Sequence, residues 1–468
     1  MSHWANDEVK SVNFGDKRLD KRLGTLLEQL GDKPNESIPV ACGGWAETLA
    51  AYRFFDNEKV TLNQVLSSHV DASIKRIACH QVVLLPQDTT DLVSTINKGS
   101  KGLGTIKETE KTELFLHPTI AITPDRVCLG VVGAEIWKRT KKSPRSERRN
   151  KPINEKESSI WLNGYQTACE VSSQVPETLI VNLADREGDI YEWFLETEEY
   201  SPSTRAEWII RAAQNRVLSN EDKHTIKLWD KLEIQPILGT VNFTLPASGN
   251  RDKREVKQII KSARVTLKAP SRTGYKMKNI EINAVLAVEL NPPLGVEPLT
   301  WLLLTSLPVE SFEQASTILE WYIARWEVEV FFKVLKSGCK VEELQLETID
   351  RMEPCLALYL IIAWRTLFVT KFGRIYPYLD CEFIFTREEW QAVHIAVNQT
   401  ALPSSPPSLG EMLSMIAHLG GHLGRKHDGP PGPQSIWIGL QRMRDFVLIF
   451  EAIKNLPEAY PYQMPIGI

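Results

Sequence analysis

Three acidic residues lie far apart in the chain, at places where their carboxylates could act together. Asp88 ends the apolar run Gln81–Asp88, and Asp185 ends the apolar run Thr178–Asp185. Glu329 lies in a later stretch with helical periodicity. Acids at the ends of buried strands can meet above one edge of a sheet, and a late helix can add a third. Three converging carboxylates repel one another unless divalent cations lie between them.

The ligand type decides which chemistry these acids could support. Hard oxygen donors without histidine or thiolate select Mg²⁺ or Mn²⁺. Two such ions a few ångströms apart can hold the attacking and leaving oxygens of an in-line phosphoryl transfer. The pattern therefore predicts metal-dependent phosphoryl transfer, with Asp88, Asp185 and Glu329 as catalytic residues and as ligands of two ions per site.

The region around Glu329 reads as one helix over residues 315–337 with two distinct sides. Ser311 and Gln314 have capping-box spacing upstream, and Gly338 is placed to close the C-terminus. At about 100° per residue, one quarter of the circumference carries a polar stripe of Tyr322, Arg325, Glu329, Lys333 and Lys336. A different side is apolar, with Ala324, Val328, Phe331, Phe332 and Leu335. Cations beside a carboxylate would seat a phosphodiester.

Each of these features also has a purely structural interpretation. The stripe could be a solvated amphipathic face held by ion pairs one turn apart. An aspartate after a strand is commonly a turn or helix-cap residue, which applies to Asp88 and Asp185 alike. The joint appearance of three acids in one fold order favours the catalytic interpretation.

The elements between residues 71 and 212 predict that order. Strands are expected at 81–88, 118–121 and 127–134, a helix at 161–171, a strand at 178–185, a helix at 187–197 and a strand at 208–211. Three strands, helix, strand, helix, strand, and a later helix with a glutamate is the order of a ribonuclease-H-like α/β core. Residues 213–306 are strand-rich and predict a β subdomain inserted before the last helix.

Helical segments flank this core. Residues 1–70 predict a helical domain that could dock on DNA, and residues 71–375 predict the core. Residues 376–468 predict a helical domain whose final amphipathic helix suits either internal packing or dimerisation. Cations in the first segment would meet backbone phosphates, or would simply be solvated: Lys17, Arg18, Lys21, Arg22 and Arg53.

Composition narrows the class without identifying it. The chain has 468 residues, of which 43% are apolar and 24% charged, as is typical of a globular protein. Its formal net charge is −4, so the overall charge does not indicate nucleic-acid binding. Basic clusters at 138–151 and 251–268 are either solvated loops or contacts for a phosphate-bearing substrate. Seven scattered cysteines without a Cys-x-x-Cys pair predict reduced thiols in a cytoplasmic protein. No signal peptide and no apolar stretch long enough for a membrane span are expected.

Longer motifs resemble a known family. Tyr322, Arg325, Glu329 and Lys336 reproduce the Tyr-Arg-Glu-Lys signature of bacterial insertion-sequence transposases of the DDE class. The first acid lies in Asp-Thr-Thr and the second in Asp-Arg-Glu-x-Asp-Ile, as in that family. Residues 291–295, 301–310 and 417–421 are also similar to it. The resemblance spans nearly the whole chain and is greatest to the branch typified by the transposase of the composite transposon numbered five.

The resemblance implies cut-and-paste transposition. A nick frees a 3′-hydroxyl, which forms a hairpin on the opposite strand; after the hairpin opens, the 3′-ends attack target DNA. Two protomers would pair the transposon ends in a synaptic homodimer, in a bacterial cytoplasm near the nucleoid. The resemblance assigns metal binding, by Mg²⁺ or Mn²⁺, to the three acids. It assigns DNA contacts to other residues: phosphates to Tyr322, Arg325 and Lys336, a flipped base to Trp301, and adjacent DNA to Trp326 and Lys333.

Two other function classes stay open. One is a ribonuclease-H-type nuclease that cuts without joining, and the other is a non-catalytic DNA-binding inhibitor of transposition. A zinc site at His418, His422 and His427 is disfavoured because glycines interrupt the segment and a fourth ligand is missing. The glycine-rich stretch 99–104 has no following Gly-Lys-Ser/Thr, which disfavours a P-loop.

Overall fold

A computed structural model describes residues 3–94, 112–138, 151–219, 225–245, 253–271, 277–346 and 348–455. The glycine-rich stretch 99–104 and residues 139–150 of the first basic cluster lie outside these ranges, as do residues 251–252 of the second. The chain divides into two compact units. One comprises residues 1–68, 94–101 and 331–468, and the other residues 69–93 and 102–330.

Fourteen α-helices and ten strands are present in the described ranges. The helices are α1 His3–Glu8, α2 Lys17–Asp32, α3 Ile38–Cys42, α4 Trp45–Phe55, α5 Leu62–Ile77, α6 Ser159–Gln174, α7 Tyr191–Glu196, α8 Leu228–Glu233, α9 Phe312–Ala324, α10 Glu327–Lys333, α11 Ile349–Ile375, α12 Arg387–Asn398, α13 Leu409–Leu419 and α14 Pro433–Lys454. The strands are β1 Val82–Pro86, β2 Thr90–Ser94, β3 Thr112–Ile122, β4 Cys128–Lys138, β5 Leu179–Ala184, β6 Glu207–Arg211, β7 Gly239–Leu245, β8 Arg254–Leu267, β9 Ile280–Glu289 and β10 Thr300–Thr305.

The second unit is built on one mixed sheet. Within it the strands β4, β3, β1, β5 and β6 lie side by side in that order. β1, β5 and β6 run parallel, whereas β3 runs antiparallel to both β1 and β4. This is the strand order of a ribonuclease-H-like core, so the predicted α/β fold class is confirmed. β1 and β5 are almost wholly buried, as their continuous apolar runs require for central parallel strands.

The predicted strand-rich insertion is present and extends the same sheet. β10 pairs antiparallel with β6, and the order continues through β9 and β8 to β7. Leu303 lies opposite Arg211, so the last strand of the insertion covers the outer edge of the core. Pairing that edge removes a row of open backbone groups.

The first unit is helical. The long helix α11 packs against α2, α4 and α14. Its core continues through α12, α13 and α14, where Trp390, Met412, Ile416 and Ile436 are buried together. The predicted helical character of both flanking segments is therefore confirmed.

The expectation that no apolar stretch is long enough for a membrane span is wrong. α11 has 27 residues and a mean hydropathy of 1.6 in its most apolar window, which is enough in length and composition to cross a membrane. In the structure 78% of that window is buried inside the protein. A helix in the core of a large protein can have the same length and hydropathy, because a helix surrounded by other helices is apolar on all sides. All seven cysteines are free, in line with the prediction of reduced thiols.

The contact between α13 and α14 depends on a glycine. A Cβ atom on Gly439 would lie 1.9 Å from the carbonyl oxygen of Ile416. We expect Gly439→Ala to lower the free energy of unfolding by about 1–3 kcal/mol, because the backbone of α13 must move, and this exceeds the gain in helix propensity. Urea unfolding measures the change. Gln434→Ala, at an exposed site of the same helix, is the control, and equal stability of both variants would contradict the close contact.

Candidate active site

Two of the predicted acids lie at the same edge of the sheet. β1 and β5 are parallel neighbours, with Pro86 opposite Leu183. The amide of Gln87 continues this pairing by donating to the carbonyl oxygen of Leu183 at 3.1 Å. Asp88 and Asp185 follow directly, at the carboxyl ends of their strands. Parallel pairing therefore converts two distant sequence positions into neighbours, as the sequence predicts.

Asp88 is partly buried and ion-paired. Its Oδ2 accepts from Nη1 of Arg325 at 2.5 Å, and its Oδ1 accepts from the amide of Thr89 at 2.8 Å. Burial, together with the negative charges of Asp185 and Glu329, raises the pKa of Asp88 to about 6, although Arg325 and the amide of Thr89 act in the opposite direction. Burial and two like charges outweigh the ion pair here. Asp185 and Glu329 are thus each within electrostatic range of Asp88.

Asp185 also has a local structural role. Its Oδ1 accepts from the amide of Glu187 at 2.7 Å and caps a 3₁₀ turn over Arg186–Gly188. The helix-cap interpretation of this residue is therefore correct in part, and the capping bond leaves the other carboxylate oxygen for a ligand.

The prediction of one continuous helix over residues 315–337 is wrong. α9 ends at Ala324, and Trp326, Val328 and Glu329 each donate their amide to a carbonyl three residues back. A π-helical turn then occupies Val334–Gly338. The 3₁₀-type hydrogen bonds tighten the helical backbone and the π turn widens it. The side chains therefore do not follow the regular spacing of about 100° per residue that the prediction assumed. The predicted apolar side is nevertheless buried, and Glu329 is exposed.

Three predicted DNA contacts form a continuous group beside Asp88. The guanidinium of Arg325 lies over the ring of Tyr322, 5.8 Å from its centroid, and Trp301 meets the same ring edge-on at 6.2 Å. Burial raises the pKa of the Tyr322 hydroxyl. Tyr322, Arg325 and Trp301 therefore line one path that ends on Asp88.

Two members of this group were not predicted. Arg211, the last residue of β6, hydrogen-bonds to Tyr322. Phe243 on β7 stacks on Trp301 with a centroid distance of 6.1 Å and an interplanar angle of 12°. Both come from strands paired with distant segments, and neither position carries a motif. A basic residue at the end of a core strand is the one signal that points to Arg211.

The remaining predicted DNA-binding residues differ in their exposure. Trp326 is 64% exposed. Lys333 is exposed in the last turn of α10, and Lys336 is partly buried in the π turn; both are assigned to the helical unit. On α2 and α4 of that unit, Arg22 is partly buried and the other predicted cations are exposed, namely Lys17, Arg18, Lys21 and Arg53. Arg18 is ion-paired to Asp16 at 2.8 Å.

The donor chemistry of the three acids fits Mg²⁺ or Mn²⁺, whereas their present spacing does not form a cage. Within the described ranges, no three His, Cys, Asp or Glu side chains are gathered closely enough to hold a metal ion. Arg325 holds one oxygen of Asp88. Cation binding at Asp88 would require this guanidinium to move aside and the carboxylates to draw together.

A chain of buried polar groups supports the loop that carries Asp88. His117 on β3 is hydrogen-bonded on one side to Gln87 and on the other to Thr89, both at 2.8 Å. Burial lowers the pKa of His117 from its ordinary value of 6.5 to about 3, so the ring is neutral near pH 7. No motif points to His117, because its partners come from a neighbouring strand.

Three transposase family models match successive parts of the chain. Residues 1–60 match a model described as Transposase DNA-binding, and residues 189–364 match a Transposase DDE domain. Residues 361–456 match a Transposase Tn5 dimerisation domain. These matches support the class of DDE transposases. The chain is thus similar in successive segments to models of transposase DNA binding, of a DDE domain and of Tn5 dimerisation. Glu329 falls inside the DDE match, and Asp88 and Asp185 precede it.

A solved structure gives a more distant likeness. The chain is similar to the piggyBac transposase in a cryo-EM structure of its synaptic complex with hairpin DNA, at 8% sequence identity and a TM-score of 0.32. The match covers 82% of this chain and 59% of the piggyBac chain, so this chain spans less than two thirds of the length of the piggyBac transposase. At this level the likeness carries no argument about the site.

The neutral buried His117 predicts a pH dependence of stability. Its pKa is lower in the folded state, so the unfolded state binds more protons below 6.5 and stability is lost as pH falls from 6.5 toward 3. Replacing it by an amide, in His117→Gln, removes this titration. At pH 4.5 the wild type should lose about 3 kcal/mol more unfolding free energy, relative to pH 7.5, than the variant. Urea unfolding at both pH values measures the difference, and equal pH dependence would contradict a buried neutral ring.

Proposed function

We propose that this protein is a cut-and-paste DNA transposase. The observation that carries the proposal is the placement of Asp88 and Asp185 at adjacent strand ends, with Glu329 within electrostatic range of Asp88. Arg325, Tyr322 and Trp301 lead away from Asp88. A row of carboxylate, cation and aromatic groups is suited to a DNA end, which offers phosphates and bases to bind.

Asp88, Asp185 and Glu329 would hold two Mg²⁺ ions, for which Mn²⁺ can substitute. The bound ions would supply a lowered pKa to the attacking water or 3′-hydroxyl and stabilise the leaving oxygen. Arg325, once released from Asp88, would pair with a phosphate near the cut, since a guanidinium binds phosphate and carboxylate oxygens alike. Tyr322 keeps that guanidinium in place by stacking.

Trp301 is suited to receive a base flipped out of a hairpin. Phe243 stacks on the indole, which is still partly exposed and would offer a flipped base a stacking surface. The reaction would nick the transferred strand, form and open a hairpin, and join the 3′-ends to target DNA, as the family resemblance implies.

The domain division remains part of the proposal. Residues 1–70 would bind transposon end repeats through Lys17, Arg18, Lys21, Arg22 and Arg53, residues 71–375 would form the catalytic core, and residues 376–468 would dimerise in the synaptic complex. Lys333 and Lys336 would add phosphate contacts. The match to a Tn5 dimerisation domain supports placing the protein among transposases similar to that of transposon Tn5.

The competing nuclease and inhibitor are separated by one assay. DNA flanking the coding sequence supplies the inverted repeats, and pre-cut ends made from it are incubated with the protein, target DNA and Mg²⁺. A transposase joins the 3′-ends to the target. Hydrolysis without joining supports the nuclease, and binding of the ends without cutting or joining supports the inhibitor.

Glu329 should be required for chemistry and not for DNA binding. Glu329→Gln keeps the side-chain size but removes a negative ligand, so nicking of end DNA should fall by at least about 100-fold. Binding of the same DNA, followed by gel shift, should persist. Glu320→Gln, at an exposed carboxylate of α9, is the matched control. Nicking at the wild-type rate in Glu329→Gln would refute the proposed metal site.

Trp301 should matter most at the hairpin step. Base stacking on an aromatic ring is worth about 1–3 kcal/mol, so Trp301→Ala should slow hairpin formation by about tenfold or more while changing first-strand nicking little. Trp301→Phe retains a stacking surface and should recover most of the rate. Equal losses at both steps, resolved on denaturing gels, would argue against a base-stacking role.

A further inference from the structure

The aspartate loop after β1 is flanked by two side chains that enter the protein interior. Gln87 precedes Asp88 and is fully buried, and Thr89 follows it. Both side chains are hydrogen-bonded to His117 on the adjacent antiparallel strand. Gln87 also forms an isolated β-bridge with Thr119 of that strand. The residue that carries the carboxylate is therefore held from both sides by one imidazole.

The direction of every hydrogen bond in this chain of groups is fixed. Nδ2 of Asn182 donates to the carbonyl oxygen of Leu85 at 2.7 Å, so its Oδ1 accepts from Nε2 of Gln87 at 2.6 Å. Oε1 of Gln87 must then accept from Nε2–H of His117. Nδ1 of His117 carries no proton in this tautomer and accepts from the hydroxyl of Thr89.

The packing around these groups leaves little room for other arrangements. A Cβ atom on Gly164 would lie 2.0 Å from Oε1 of Gln87. The ring of His117 meets Trp161 edge-on at a centroid distance of 4.8 Å. Asn182 is fully buried on β5, the strand that leads to Asp185. The hydrogen-bonded chain thus connects the two strands that carry the two aspartates.

A buried polar chain of this kind stabilises one loop conformation. Each alternative rotamer of Gln87 or Thr89 would leave a buried donor or acceptor without a partner. Groups that orient a metal ligand without touching the metal commonly set metal affinity, because a small displacement of the carboxylate spoils the coordination geometry.

We propose that His117 is a positioning residue that, through Gln87 and Thr89, holds the loop carrying Asp88 at the sheet edge where the carboxylates would bind the cation. The inference rests on the proposed function, because it assumes that Asp88 is a metal ligand. His117 lies outside every motif, and its proposed role is to position the loop that carries Asp88 without contacting DNA or metal.

The test is the affinity of the full chain for Mn²⁺, measured from the electron paramagnetic resonance signal of the free ion. His117→Phe keeps the ring against Trp161 and removes both nitrogens. Thr89→Val removes only the hydroxyl. Each should bind Mn²⁺ about 10–100-fold more weakly than the wild type. His117→Gln and Thr89→Ser retain groups that can donate and accept, and both should recover most of the affinity.

A control at another buried histidine separates positioning from general destabilisation. His69 is fully buried in the same unit, where its Nε2 accepts from the amide of Val131. His69→Phe should bind Mn²⁺ as the wild type does, and circular dichroism checks that each variant folds. Should His117→Phe fail to fold, Thr89→Val against Thr89→Ser makes the same comparison.

The outcomes distinguish this inference from the proposed function. Wild-type Mn²⁺ affinity in both His117→Phe and Thr89→Val would overturn the positioning role and leave the transposase proposal standing. Equal weakening in His69→Phe would also overturn it, since the effect would then be one of stability. A wild type that binds Mn²⁺ no better than Glu329→Gln would overturn the proposed metal site and this inference with it.

Discussion

The parallel pairing of β1 and β5 is the constraint on which the site depends. In the described ranges β2, the antiparallel pair β3 and β4, and helix α6 separate the two strands in sequence, yet their register places Pro86 opposite Leu183. Both strands end at the same edge of the sheet, and an aspartate follows the end of each strand. A slip of one residue would turn buried side chains toward the opposite face, so the apolar runs that bury the strands also fix the relative positions of the acids.

Electrostatic repulsion follows from that arrangement. Asp88 is partly buried, and two like charges act on it, which is unfavourable for an ionised carboxylate. Arg325 partly offsets this by direct pairing. Arg325 belongs to the segment that presents Glu329, so one short stretch of chain supplies both a cation that pairs with the first acid and a carboxylate that repels it. Under the proposed function, this balance would favour exchange of the guanidinium for a divalent cation when a DNA phosphate offers Arg325 another partner.

The sequence predicted the core well because long apolar runs and alternating helices specify parallel strands with little ambiguity. β1, β5 and β6, and the acids that follow the first two, were located in advance for this reason. The break near Arg325 and the π turn at Val334–Gly338 were missed, because helical periodicity cannot show where a helix tightens or widens. Arg211, Phe243 and His117 were missed for another reason: their roles arise from pairing between distant strands. The long apolar window in α11 was missed because Arg365 interrupts the run of apolar residues.

The central claim is that Asp88, Asp185 and Glu329 share divalent cations. Anomalous diffraction from crystals of the protein soaked with Mn²⁺ tests it directly. We expect Mn²⁺ peaks about 2.1 Å from carboxylate oxygens of all three residues, with Arg325 displaced from Asp88. Mn²⁺ bound only elsewhere, with the pair between Arg325 and Asp88 intact at saturating metal, would contradict the account.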